Sequence, residues 1–418
     1  MALRSAVGNS PLAFLPWPTQ SVAGVVVLVA ALVFSRVIGA SAAVLAPLWL
    51  LGMVTGFTLQ RSRFCFASAF RDLFLFGQSR VLNGILVGLT ITTLGFGLLM
   101  FNEVPFPQFG ALPAEAHVLP VGLSTVFGGV LFGIGMVLAG GCSSGSLYRV
   151  GEGYVASGVA VIGMVVGLAL LAYQWNWWWD TIIQHEPRVW LAEALPGGYG
   201  TAVVLTLAGL LVVFLAGLWW DARNGFAMPA ISKPASDPED LTLRGRLSTL
   251  WRRIFVDGWS PIVGGAVLGV TALLMYLAAQ PWGVTGELSR WGQNATNALS
   301  IGPPILKGLD AIGGCAARSG EGGVFTATFA ITVGLVAGAL VAALFAGEFK
   351  LRFPPQRRRY VQALVGGVAM GYASGLAIGC TIGAFFSAVP SLALSGWVFG
   401  GSLAGGAWLG VKILRRIP

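Results

Sequence analysis

The chain has 418 residues, 56% of them hydrophobic and 10% charged, with a mean hydropathy of +0.80. That is too little polar surface to cover a water-soluble globule of this size, so a bilayer has to supply the missing solvent. The net charge of +9 does not mark a nucleic-acid binder, because the basic residues gather at the ends of long apolar runs rich in Trp, Phe and Gly, as membrane topology requires.

The opening stretch MALRSAVGNSPLAFLPWPTQ lacks a compact apolar core followed by a small-residue cleavage site, so the first apolar run, from about Ser21, is expected to stay in the mature chain. About 20 apolar residues cross about 30 Å of hydrocarbon. Runs of that length predict spans at 21–40, 41–60, 81–101, 154–173, 201–220, 260–280, 324–346 and 394–413. Segments 61–80, 121–150, 294–323 and 361–390 are neither good spans nor good loops, and they hold all four cysteines, Cys65, Cys142, Cys315 and Cys380. The expected fold class is an all-α polytopic membrane protein, an inverted repeat with about eight full spans plus broken or re-entrant half-helices that bear the cysteines.

Lys and Arg in short loops are retained in the cytoplasm. Residues 347–360 carry Lys350, Arg352, Arg357, Arg358 and Arg359, the tail carries Lys412, Arg415 and Arg416, and 221–258 carries six basic residues. Those stretches are expected inside. Residues 102–120 have no Lys or Arg and 174–200 have only Arg188, so both are expected outside, with Trp175, Trp177, Trp178 and Trp179 in the outer aromatic belt. Threading the chain accordingly puts both termini and 61–80 inside and 281–323 outside. Segments 121–150 and 361–390 then cross in opposite directions.

An internal match accompanies that opposition. GGVLFGIGMVLAGGCSSG at 128–145 aligns without a gap to GGVAMGYASGLAIGCTIG at 366–383, at a constant offset of 238, with nine of eighteen positions identical. Cys142 and Cys380 are among the matches. Opposed repeats are a common transporter plan in which broken helices from each half frame the substrate site. On that plan the chain divides into a membrane half 1–220, a cytoplasmic linker 221–258 in which DPEDLTLRGR can form a surface helix, and a second half 259–418. Topology alone then pairs Cys65 with Cys315.

Irregular backbone at membrane depth survives only where protein or a watery cavity satisfies its polar groups, so the Gly-Gly-Cys-Ser-Ser-Gly break predicts a cavity. After Cys142 the backbone of Ser143, Ser144 and Gly145, and after Cys380 that of Thr381, Ile382 and Gly383, can present N–H donors at the positive end of a helix dipole, which favours an anion. The thiols add a weak donor and a soft sulfur, suited to a sulfur-bearing ligand. The competing reading is that each cysteine packs as a small apolar group beside Gly. Around Cys65 lie Arg61, Arg63, Arg71 and Arg80. Positive-inside topology accounts for them, and an electropositive mouth that draws anions is the alternative; the same two readings apply to Arg149 and Arg318.

These residues bring the chain to a known family. GFTLQRSRFCFASAFRDL at 56–73, GIGMVLAGGCSSGSLYRVGEGY at 133–154 and GGVAMGYASGLAIGCTIG at 366–383 resemble the YeeE/YedE sulphur-transport family, bacterial inner-membrane proteins linked to thiosulfate uptake. The resemblance implies that Cys65, Cys142 and Cys380 line the conduction path and relay the anion through S–H···S contacts; the helix starts and the basic mouth read above add Ser143, Ser144, Gly145, Thr381, Gly383, Arg63 and Arg71 as expected binding residues. It also implies delivery to a cytoplasmic sulfurtransferase or small thiol carrier. Cys315 has no match among the family's three cysteines, and longer relatives are associated with selenium metabolism.

Other functions fit less well. No C-x-x-C marks a redox enzyme, and the two histidines, His117 and His185, fall in outward loops, away from any intramembrane serine. Thiolates suit Cu(I), but the arginines beside the cysteines oppose a cation. No nucleotide-binding motif, resident metal or cofactor is expected.

Overall fold

The computed structural model describes residues 17–107, 111–224, 246, 249–309 and 323–416. Among them the chain forms helices α1 (Trp17–Ser41), α2 (Leu45–Ser62), α3 (Phe66–Phe76), α4 (Arg80–Glu103), α5 (Leu123–Ala139), α6 (Ser143–Gly151) and α7 (Val155–Thr181). The short α8 (Leu191–Ala194) leads to α9 (Gly198–Asn224), and the second half holds α10 (Pro261–Ala278), α11 (Thr285–Ala298), α12 (Ala327–Phe345), α13 (Arg357–Leu376) and α14 (Leu394–Arg416). Local chemistry sets several of the starts. Ser260 caps α10, accepting from Val263 N at 3.3 Å ahead of Pro261, and Thr326 caps α12, accepting from Phe329 N at 3.1 Å.

Eight helices among the described residues are long and apolar enough to cross a membrane, or nine if α13 and the π-helical stretch Thr381–Ser387, bent by 46°, count as one span. The protein is an all-α, multi-pass membrane protein. Seven of the eight spans expected from sequence recur. The exception is α2, which ends in Gln60, Arg61 and Ser62 and is not apolar enough to qualify, whereas Leu123–Gly151 does qualify despite its internal break. The spans differ in enclosure: α12 is 72% buried, α1 and α9 only 22%. α12 is therefore central, and the exposed Val and Leu of α1 and α9 are the surface that lipid has to cover.

Helices of the two halves interleave. α2 lies along α12, α4 along α10, α5 along α14 and α7 along α13, while α5 also packs on α13. Glycines make this possible by letting backbones meet. Gly128 faces Ala373 and Ala377 while Gly135 faces Gly366 and Met370, so α5 and α13 run antiparallel. Gly129 and Gly133 climb α14 from Phe399 to Ala407, and Gly163 and Gly167 climb α13 from Leu364 to Tyr372, so those pairs are parallel. The contacts also repeat. Adding 238 to Gly128 and subtracting it from Ala373 and Ala377 gives Gly366 against Gly135 and Ala139, which is the contact observed.

Polar clusters close both ends of the bundle. At one end Arg61, 2% exposed, lies 2.6 Å from Glu348 and donates to the carbonyls of Phe255 and Val256 at 3.1 and 2.8 Å. Gln60 donates to Glu152 at 3.0 Å and to Glu348 at 2.8 Å. At the other end the fully buried Glu287 receives Arg290 at 2.6 Å and the hydroxyls of Thr326 and Thr328 at 3.2 and 3.1 Å. The four tryptophans expected in an interfacial belt form the last turns of α7, but only Trp177 is well exposed; Trp175 is buried and donates to Lys307 O at 2.9 Å. Loop packing, not lipid, takes up that indole.

Candidate functional site

Three helix breaks share one local design. In each, a residue with positive φ ends a helix, one residue follows, and an extended cysteine starts the next helical segment: Arg63 (φ 49) before Cys65, Gly140 (φ 79) before Cys142 and Ile378 (φ 54) before Cys380. The left-handed residue closes the helix and turns the chain so that the cysteine points back toward the bundle. Glycine takes that conformation without strain, but Arg63 and the β-branched Ile378 do not. Such residues persist only where the surroundings hold them. All three thiols are buried, Cys65 at 1% exposure and Cys142 and Cys380 at 0%.

Two of the three breaks meet. Cys65 Sγ and Cys142 Sγ lie 3.7 Å apart as free thiols in hydrogen-bond contact, although 77 residues separate them. Gly145 allows it: a Cβ there would overlap Cys65 Sγ and lie 3.2 Å from Cys142 Sγ. The start of α6 is arranged differently from the sequence expectation, because the Gly145 N–H is not open but donates to Cys142 Sγ at 3.4 Å. Ser144 Oγ lies 3.5 Å from the same sulfur. Cys142 thus caps its own helix through sulfur, and a ligand that drew the thiol away would free that N–H.

Cys380 stands in the third break, apart from this pair. It is followed by Thr381, whose buried hydroxyl has no hydrogen-bond partner among the described residues, and by the π-helical stretch in place of a regular helix start. Gly383 O lies 3.3 Å from His117 Nδ1, and Ser387 donates to Trp282 O at 3.1 Å. Phe386 links the two regions, its ring 5.7 Å from that of Phe66, the neighbour of Cys65, and 6.1 Å from that of Trp282.

Two of these neighbours were not legible in the sequence. His117, read as an outward-loop residue, is only 4% exposed and takes Ser391 Oγ on its backbone N–H at 3.1 Å; the apolar Val118 and Leu119 beside it were the available signal. Of the expected pair Cys65 and Cys315, the second lies outside the described residues. By order and packing, α10, residues 279–284 and α11 stand to α12 as α2, the Cys65 break and α3 stand to α4. In that order the turn around Trp282, which has no cysteine, occupies the position of the Cys65 break, and Arg318 also lies outside the described residues.

A cleft of about 540 Å³ opens at the Arg61 end, where α2, α3, α4 and α6 converge. Arg63, Arg71, Arg80 and Arg149 line it against only two carboxylates, Asp72 and Glu152, so its potential is positive. Arg63, 69% exposed, reaches Glu348 at 3.1 Å, and Arg71 lies 2.9 Å from Asp72. Arg149, on the face of α6 that also carries Cys142, donates to Gly140 O and pins the left-handed turn. Burial pushes the Glu152 carboxyl above its ordinary range. Burial acts the same way on Glu348, but Arg61, Gln60 and Arg63 outweigh it and hold that carboxyl below its ordinary range.

The described residues thus hold a soft thiol pair, a third thiol on a break of matching sequence and a basic cleft. The model of the family described as sulphur transport matches residues 61–409. The chain belongs to that family. Membership places it among transporters rather than enzymes. It is 31% identical over 373 residues to the thiosulfate transporter TsuA of Spirochaeta thermophila, covering 88% of this chain and 98% of the relative. It is 29% identical over 232 residues to TsuA of Escherichia coli and 31% over 176 residues to the probable transporter YedE of the same organism. This chain spans 60% and 40% of those two relatives' lengths.

Proposed function

We propose that this protein is a permease of the bacterial inner membrane that takes up a small sulfur-bearing anion, with thiosulfate as its substrate. The observation that carries the reading is the contact of Cys65 with Cys142 beside a cleft lined by four arginines, in a sulphur-transport chain whose near full-length relative is a thiosulfate transporter. Cys380 is the first thiol the anion meets and the Cys142–Cys65 pair the second; Arg63 and Arg71 draw it out through the cleft. Thr381 and Gly383 at one station, and Ser143, Ser144 and Gly145 at the other, offer hydroxyls and backbone donors to its oxygens, while the thiols meet its terminal sulfur. The halves 1–220 and 259–418 act as inverted repeats, joined by a cytoplasmic linker 221–258, and the symmetric α5–α13 contact supports that division. Both termini are cytoplasmic, and the acceptor there is a sulfurtransferase or small thiol-carrier protein.

The test is growth of a thiosulfate-uptake-deficient bacterium on thiosulfate as sole sulfur source, with sulfate and selenite as controls. Wild type restores growth on thiosulfate alone. Cys142→Ala and Cys380→Ala, inserted at wild-type levels, bring growth near background, and the serine variants rescue little because the hydroxyl lacks the soft sulfur. Full growth with both alanine variants would make the cysteines packing residues.

A further inference from the structure

We propose that Cys65 and Cys142 form a reversible dithiol switch, closed to a disulfide by a disulfide-linked oxidised sulfur anion, the S–S dimer of a thiosulfate-type cargo, which blocks the path. The switch rests on the uptake reading for the oxidant's entry, because both thiols are buried and an anion reaches them by the route the cargo takes.

The geometry sets the pair apart from Cys380. A disulfide needs about 2.05 Å between sulfurs, so the 3.7 Å separation has to close by about 1.6 Å. Nothing stands between the sulfurs, since the position that would intrude is Gly145. Each cysteine is the extended residue of a break (φ −148, ψ 128 at Cys65 and φ −76, ψ −176 at Cys142), so the movement that closes the pair falls on the two breaks, and it releases the Gly145 N–H that Cys142 Sγ now caps. Closure would tie the α2–α3 turn to the α5–α6 turn and remove both S–H groups from the path.

The chemistry balances. One cysteine thiolate attacks a central sulfur of the dimeric anion; that S–S bond breaks and one monomeric anion leaves with the electron pair. The remaining half stays on the cysteine as a mixed disulfide, which the second thiolate attacks at the cysteine sulfur, releasing the other monomer. Two thiols lose two electrons and two protons, and one S–S bond of the anion is reduced.

Membrane vesicles holding the wild-type protein are treated with tetrathionate, remaining thiols are alkylated, and peptides are read by mass spectrometry beside thiosulfate uptake. The expected result is a Cys65–Cys142-linked peptide with Cys380 alkylated, uptake at least tenfold lower, recovery of uptake on adding dithiothreitol, and loss of that link in Cys142→Ser. Cys65 and Cys142 that remain alkylatable after tetrathionate, or a complete link with unchanged uptake, would overturn the switch. The link is read without any transport, so a reduced protein that forms it yet takes up no thiosulfate refutes the uptake reading separately, and with it the claim that the link blocks a path.

Discussion

At Gly145 one missing carbon keeps two thiols together. A methyl there overlaps Cys65 Sγ, so Gly145→Ala has to push the Cys65 break away from α6, and thiosulfate uptake should fall at least tenfold in protein that still inserts. Wild-type uptake by that variant would show that the thiol contact is dispensable. The arginines differ in kind from the cysteines, because Arg63 is 69% exposed and its pull on an anion is screened by salt. Arg63→Gln or Arg71→Gln should weaken uptake most at low ionic strength; a wild-type salt dependence would leave them as topology signals alone. Residue types in the breaks were readable from sequence, since Gly-Gly-Cys and Ile-Gly-Cys stood out. That Arg63 and Ile378 take the same left-handed turn as Gly140 was not, because neither residue favours it and only the surrounding packing imposes it.

Among the elements, the cluster at the Arg61 end holds α2 to the α6–α7 turn, to the residues after α12 and to the residues before α10. Arg61→Ala leaves those carbonyls without their donor and Glu348 with the exposed Arg63 as its remaining cation, and should cost about 3 kcal/mol, at the low end for breaking a buried pair because Glu348 keeps Arg63 and some solvent. Thermal unfolding in detergent would measure it. The pH dependence has two signs. Glu348, held below its ordinary range by Arg61 once burial is outweighed, contributes stability that is complete above the ordinary carboxylate range and is lost as pH falls through its lowered pKa. Glu152 is raised by burial, so it favours folding while protonated, and that contribution is lost as pH rises through its raised pKa. Glu152→Gln should therefore raise the unfolding temperature at neutral pH by a few degrees, and a lowered midpoint would mean that the charge is needed.

For the whole molecule, the repeat makes a paired prediction. Cβ atoms at Gly167 and Gly406 would overlap Val368 O and Val130 O, positions related by the same shift of about 238. Gly167→Val and Gly406→Val should then lower the amount of inserted protein to a similar degree, and tolerance of one with loss of the other would argue against symmetric halves. Orientation has its own check. A reporter fused to the C-terminus should be active only in the cytoplasm, as the basic stretches 347–360 and 412–416 require; periplasmic activity there would reverse every span.

The sequence by itself determined that this chain spans a membrane, where most spans lie, that three cysteines sit at breaks and which family it joins. Those properties are written in apolar run length, Gly and Cys motifs and loop charge, all of them local along the chain. The tertiary structure alone decided that Cys65 meets Cys142 while Cys380 stands apart, and that the loop carrying His117 folds inward and buries its ring against Gly383. Partners 77 and 266 residues apart leave no periodic trace in sequence. They are set by which helix backbones glycine lets approach, and that is a property of the packed bundle.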